Sequence, residues 1–172
     1  MATRWSHDKD LALIDIGGRL NALPGFTTVD LFDADITADL NGKWPFEDST
    51  VGVLRCSHVL EHLKDPVHAM NEAFRVLAPG GWMFIEVPST DGRGAFQDPT
   101  HVSFWNSNSM WYYTREEFSR FVPAFKGRFQ NSRTVNYFPS QFEQDHNIVV
   151  VQADLIAVKG SYALRPVGQV LI

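Results

Sequence analysis

The chain has 172 residues, 44% of them apolar, and a formal net charge of −5; this fits one domain with a real core over 1–172 and excludes a disordered chain. Lysine and arginine are scattered and form no basic stripe, which argues against a nucleic-acid duplex as partner. The single cysteine, Cys56, excludes an internal disulfide framework and points to a reducing, cytoplasmic setting.

The first ten residues, MATRWSHDKD, hold no apolar leader segment, and no run reaches the roughly 18 apolar residues of a membrane span. Residues 11–16 (LALIDI) read as a buried strand that stops at Gly17-Gly18. Pro24-Gly25 marks a turn. Residues 27–31 (TTVDL) are a second strand candidate ending at Asp30, and 36–40 a short third. Residues 51–56 (VGVLRC) form the next strand.

Asp65-Pro66 then gives an N-cap followed by proline at the first helical position. Val67, Met70, Phe74 and Leu77 recur at spacings of three and four, one apolar stripe of a helix over 66–77. Gly80 is placed as its C-terminal stop. Residues 82–87 form a strand closed by Pro88. This strand–helix–strand unit predicts a parallel sheet.

Residues 89–113 read as a long irregular loop, and such loops are functional or mobile. Thr114 and Glu117 match a capping box, with Phe118, Phe121 and Val122 on one face of the helix it starts. Residues 128–138 and 148–158 are two further β segments, and the last dozen residues carry no signal. The element order predicts an α/β layer fold whose last strands form an antiparallel hairpin.

Several pieces together resemble the class I S-adenosylmethionine-dependent methyltransferases of the small type 11 branch. They are IDIGG at 14–18, PGFTTVDL at 24–31, ADL at 38–40, PFEDST at 45–50, SHVLEHLKDP at 57–66 and NEAFRVLAPGGWMFIEVP at 71–88. The AFQDPTHVSFW segment at 95–105 is a further likeness, and the similarity runs over about 11–160. The resemblance implies a Rossmann-like, mostly parallel sheet flanked by helices, with S-adenosylmethionine as cofactor. It implies that Gly17 and Gly18 let backbone approach the cofactor and that Asp30 accepts the ribose hydroxyls. It places Asp39 and Leu40 near the adenine, and Ser57 and His58 beside the methionine end. In an open parallel sheet such a ligand sits outside the carboxyl ends of the strands. The cofactor brings its own activated methyl group, so the protein orients the acceptor and handles its proton.

Three features depart from the family pattern. Ten residues, 17–26, replace a crossover that is normally a dozen or more, so the first helix is shortened or absent. Gly52 stands where relatives commonly carry Asp. About ten residues precede the first strand, so helices that often lie there are expected to be missing.

Candidate chemistry follows. His101, with a pKa near neutrality by default, can take a proton from an acceptor, and Asp98 can orient it; the alternative is a structural loop clamp. The aromatics between Phe96 and Tyr113 either line a flat or sugar-like acceptor pocket or pack the loop down. His58, Glu61 and His62 match the H-x-x-E-H zinc pattern, with local hydrogen bonding of Glu61 and His62 as the plainer reading and no metal site assigned. The expected reaction is methyl transfer to an O or N nucleophile of a small or sugar-like acceptor. The alternative is a degenerate methyltransferase-fold module that binds without catalysis.

Overall fold

The aliphatic runs become seven strands of one sheet in the computed structural model, which describes residues 2–19 and 21–160. The strands are β1 (Ala12–Ile16), β2 (Thr27–Asp30), β3 (Ile36–Thr37), β4 (Val51–Ser57), β5 (Leu77–Pro88), β6 (Phe129–Tyr137) and β7 (Val150–Ala157). Their order is β3-β2-β1-β4-β5-β7-β6. The pairings among β1 to β5 are all parallel. β7 runs antiparallel between β5 and β6. This is the parallel sheet with a closing antiparallel pair that the element order implies. The third strand is only Ile36–Thr37, so 38–40 pass into the following loop. The expected domain over 1–172 extends, at 161–172, beyond the described residues. No helix among the described residues is long and apolar enough to cross a membrane.

The first surprise precedes β1. A short helix, α1 (Ala2–His7), lies where none was expected. Its Ser6 is fully buried and donates to the Leu11 carbonyl at 2.9 Å. Gly52 makes this possible: a Cβ there would sit 2.0 Å from Ser6 Oγ and 2.9 Å from Leu11 Cβ. The glycine is thus the floor on which α1 rests. Gly52→Ala is expected to cost about 1–3 kcal/mol through overpacking. An unchanged urea midpoint would show that α1 does not pack there.

The first crossover carries no helix among its described residues, as its length implies. Gly17 adopts φ +73°, and its amide donates to the Val29 carbonyl at 2.8 Å, tying the turn to β2. A side chain at 17 would also stand 2.6 Å from Val59 Cβ.

Helix α2 (Pro66–Val76) begins as expected, with Asp65 Oδ1 accepting from the amides of Val67 and His68 at 2.9 and 3.0 Å. It buries Ala69, Met70, Ala73 and Val76. It ends earlier than expected, at Val76, because Leu77 is already extended and starts β5. Pro79 disfavours the helical state at the residue before it, so the helix stops short. Gly80, at φ +80°, instead serves an irregularity in β5, where pairing jumps from Val51–Leu77 to Val53–Trp82. Glu72 and Arg75 form a clamp. Glu72 Oε2 accepts from the Trp44 amide at 2.7 Å and from Arg75 Nη2 at 2.7 Å. Arg75 Nη1 reaches the Phe46 carbonyl and Asp48, at 2.8 and 2.7 Å. The E-x-x-R motif therefore pins the loop that enters β4.

The segment 89–113, expected as irregular, is folded. It contains α3 (Gly94–Gln97), a 3₁₀ turn (Ser107–Met110) and α4 (Trp111–Thr114). A capping box is present, but at Asn106 and Ser109. The box expected at Thr114 is not made, because Thr114 Oγ1 donates to the Met110 carbonyl at 2.8 Å. Helix α5 (Glu116–Ser119) starts without a side-chain cap, and α6 (Gln141–Asp145) lies between β6 and β7. The aromatics divide. Trp105 and Tyr113 join the main core, while Phe96 and Phe104 stack on each other at the surface.

The two sheet faces differ. One carries the large core shared with α2. The other, where residues of strands alternate outward, has among the described residues a smaller buried cluster of Leu13, Val53, Trp82 and Ile156, with Phe26 and Phe84 packed against it. Asp15 and Asp154 are buried on that face and pair with Arg55 and Arg133 at 2.7 and 2.9 Å. Burial pushes both carboxyl groups above the usual carboxylate range despite those arginines.

Candidate active site

The sheet order reverses direction at β1 and β4, and a ligand crevice belongs at the carboxyl ends of those strands. A cleft lies there. Gly17 from the end of β1, Asp30 from β2, Asp39 and Leu40 from the loop after β3, and His58 after β4 line it together. Leu31, Ala38, Asn41, Val59, His62 and Leu63 complete the wall. Five expected cofactor residues thus converge from four segments.

Local structure explains their placement. Asp30 Oδ1 accepts from the Leu31 amide at 2.6 Å, which fixes the carboxylate at the rim. Asp39 Oδ1 accepts from the Asn41 amide and side chain, both at 2.9 Å, and these bonds hold its pKa below the usual range. Leu40 is buried and offers an apolar wall. His58 sits at φ +52°, a left-handed conformation that a non-glycine residue adopts at a cost of about 1–3 kcal/mol. Its ring is half exposed, with Nδ1 3.4 Å from Glu61 Oε1 and Nε2 3.9 Å from Glu86 Oε1. The neighbouring Glu61 raises the His58 pKa, opposed by partial burial and assisted by Glu86.

Other expected residues stand apart from the cleft lining. Gly18 is buried behind it, where a Cβ would meet Asp15 Cγ at 2.6 Å, so it serves the turn. Ser57 lies beside the cleft and donates to Glu86 Oε2 at 3.4 Å. Asp98 accepts from the Thr100 amide and hydroxyl, at 2.8 and 2.6 Å, and those bonds lower its pKa. The His101 side chain is 7% exposed, with Nε2 3.9 Å from Asp98 Oδ2. Its Nδ1 lies 3.0 Å from the Ala95 carbonyl, and its ring meets that of His62 edge-on at 5.0 Å. His101 is therefore one residue removed from the cleft, behind His62.

Two groups escaped the sequence reading. Glu86, at the end of β5, accepts a short hydrogen bond from the Tyr137 hydroxyl of β6. Its backbone carbonyl accepts from the His58 amide at 2.8 Å. Burial and then Glu86 push the Tyr137 hydroxyl pKa up. The only sequence signal was one acid inside the apolar run WMFIEV.

The H-x-x-E-H pattern also changes meaning. Leu60–His62 is a single 3₁₀ turn, so His58 and His62 are not stacked one helical turn apart. His62 makes the expected local hydrogen bonds, to Thr100, while the Glu61 side chain has a looser local contact with His58. The Glu61 carboxylate is buried with no close hydrogen bond among the described residues, and its charged contact is the His58 ring, with Nδ1 3.4 Å from Oε1. The Glu61 backbone carbonyl accepts from the amides of Val102 and Ser103, at 2.8 and 3.0 Å, and so docks the 98–105 loop.

A family profile described as a methyltransferase domain matches residues 6–138. The chain belongs to this methyltransferase domain family. Solved methyltransferases share its fold. A Haloferax volcanii methyltransferase, solved in complex with the Trm112 activator, is 14% identical, with TM-score 0.63 over 87% of this chain and 84% of that one. An S-adenosylmethionine-dependent methyltransferase from Mesorhizobium loti is 13% identical, with TM-score 0.56 over 86% and 91%. The [4+2]-cyclase SpnF, 13% identical, aligns at TM-score 0.57 over 92% and 80%. The methyltransferase fold alone therefore does not fix a reaction. A Streptomyces fradiae protein, described as an uncharacterized 37.1 kDa protein in transposon TN4556, is 43% identical over 47 residues. That match spans 27% of this chain and 14% of that relative's length.

Proposed function

We propose that this methyltransferase domain transfers a methyl group from S-adenosylmethionine to an O or N nucleophile of a small or sugar-like acceptor. The observation that carries the reading is the convergence of Gly17, Asp30, Asp39, Leu40 and His58 on one cleft at the carboxyl ends of parallel strands. Gly17 lets backbone approach the cofactor without a side chain in the way. Asp30 takes the ribose hydroxyls, Leu40 the adenine, and Asp39 its polar edge. Ser57 and His58 border the methionine end, with Gly18 holding the turn. The sulfonium supplies an activated methyl group when the cofactor is bound. The acceptor side belongs to Asp98 and His101, whose part is to hold the acceptor and manage its proton. The stacked, exposed Phe96 and Phe104 beside them offer flat surface suited to a sugar or ring.

The test is calorimetry with S-adenosylhomocysteine. Asp30→Ala is expected to weaken binding by about 1.5–3 kcal/mol, the range for a hydrogen bond to a charged group. Unchanged affinity in a folded variant removes Asp30 from the site. No binding to the native chain removes the cofactor reading altogether.

A further inference from the structure

Behind the cleft wall, one ligand-capable atom from each of Glu61, His62 and His101 lies within 4.8 Å of the other two. The Glu61 side chain is 3% exposed, and neither of its oxygens receives a hydrogen bond from the described residues. A buried carboxylate without close hydrogen bonds is costly, and a cation that meets it offsets that cost. His58 Nδ1 stands 3.4 Å from Oε1 as a partial partner, on a ring that is 48% exposed.

We propose that Glu61, His62 and His101 form a binding site for a divalent transition-metal ion of the zinc class.

The two histidines are set up as ligands. His101 Nδ1 lies 3.0 Å from the Ala95 carbonyl. His62 Nδ1 lies 3.2 Å from the Thr100 carbonyl and 3.1 Å from its hydroxyl. A ring whose Nδ1–H donates to a carbonyl carries its lone pair on Nε2, the tautomer that metal-binding histidines commonly hold. Two imidazoles and one carboxylate are a donor set of catalytic zinc sites, which keep a position open for water or substrate. Ligand bonds of about 2 Å require the three side chains to close in from their present spacing of up to 4.8 Å. The frame around them is built. The Glu61 carbonyl and the Leu60 carbonyl bind the Val102 amide and the Ser103 hydroxyl, both at 2.8 Å, joining the two ligand-bearing loops. Asp98 Oδ2 lies 3.9 Å from His101 Nε2 and adds a second negative charge beside the cluster.

His62 also lines the cofactor cleft. The ion therefore borders the place where a methyl acceptor must sit, and an acceptor oxygen or nitrogen is a natural occupant of its open position. This last step rests on the methyltransferase reading; the ion site itself does not. In it His101 serves the acceptor as a ligand, through the ion.

The experiment strips the full chain with chelator, then titrates Zn²⁺ by calorimetry and Co²⁺ by visible absorption. One equivalent of Zn²⁺ is expected to bind, with Co²⁺ bands of a four- or five-coordinate site. Glu61→Gln and His101→Ala are each expected to weaken binding about 100-fold or more, beyond the cost of losing an outer-shell partner. His146→Ala, on α6, is the control and leaves binding unchanged. Zn²⁺ is expected to raise the melting temperature of the native chain, since it binds only the folded state. Metal-free Glu61→Gln is expected to melt no lower than the native chain, which shows that the variant folds. Absence of stoichiometric binding, or binding that survives both ligand variants, overturns the site. S-adenosylhomocysteine titrated into the same samples separates the readings. Loss of that ligand with Zn²⁺ retained overturns the methyltransferase reading and leaves the ion site standing.

Discussion

Met70→Ala is expected to cost about 2–5 kcal/mol of stability, as deletion of a large buried side chain does. Met70 is fully buried on the inner face of α2, in the main core cluster with Leu54, Cys56, Met83 and Ile85. Its neighbours on that face, Ala69 and Ala73, are too small to fill the space it would leave. The backbone there is helix packed on sheet and cannot collapse easily, so a cavity persists. An isolated helix of 11 residues is marginal in water, so α2 depends on this contact. Urea titration should show a lower midpoint with an unchanged slope. A loss below about 1 kcal/mol would show that this face of α2 is not packed as described.

The sheet was legible in the sequence because its signals are local. Aliphatic runs end at glycine or proline, and Asp65-Pro66 opens α2 in the expected place. The misreadings are equally physical. Gly80 looks like a helix stop, but Pro79 had already turned the chain extended and left the glycine to a strand irregularity. Thr114 looks like a cap, but its hydroxyl is spent on the end of the preceding helix. Helix α1 was invisible because its warrant, Ser6 over Gly52, joins positions 46 apart. The cleft residues were named through family resemblance, and periodicity alone did not single them out. Glu86 and Tyr137 were missed because antiparallel pairing through β7 brings together residues 51 apart. The Glu61, His62 and His101 cluster was half visible. The sequence pattern suggested His58 as the second histidine, whereas the fold supplies His101 from the docked loop.

His101→Ala is expected to reduce methyl transfer by about 10²–10⁴-fold while leaving S-adenosylhomocysteine affinity nearly intact, the range for loss of acid–base assistance at an acceptor. The separation follows from geometry. His101 is not part of the cleft lining, so cofactor binding does not need it. Its Nδ1 is taken by the Ala95 carbonyl, which leaves Nε2 as the group that can act, on a proton directly or on an ion shared with Glu61 and His62. Asp98→Asn is expected to do less. Asp98 stands 3.9 Å from His101 and spends its hydrogen bonds on Thr100. Release of S-adenosylhomocysteine with a panel of small hydroxyl and amine acceptors provides the assay. The two modes of action part under added Zn²⁺. A ligand role predicts that metal raises the native rate and does little for His101→Ala, whereas a free base works equally well with the metal removed. A His101→Ala rate within about threefold of native would remove this residue from the acceptor side under either mode, leaving its contacts with Ala95 and His62 as a clamp on the loop.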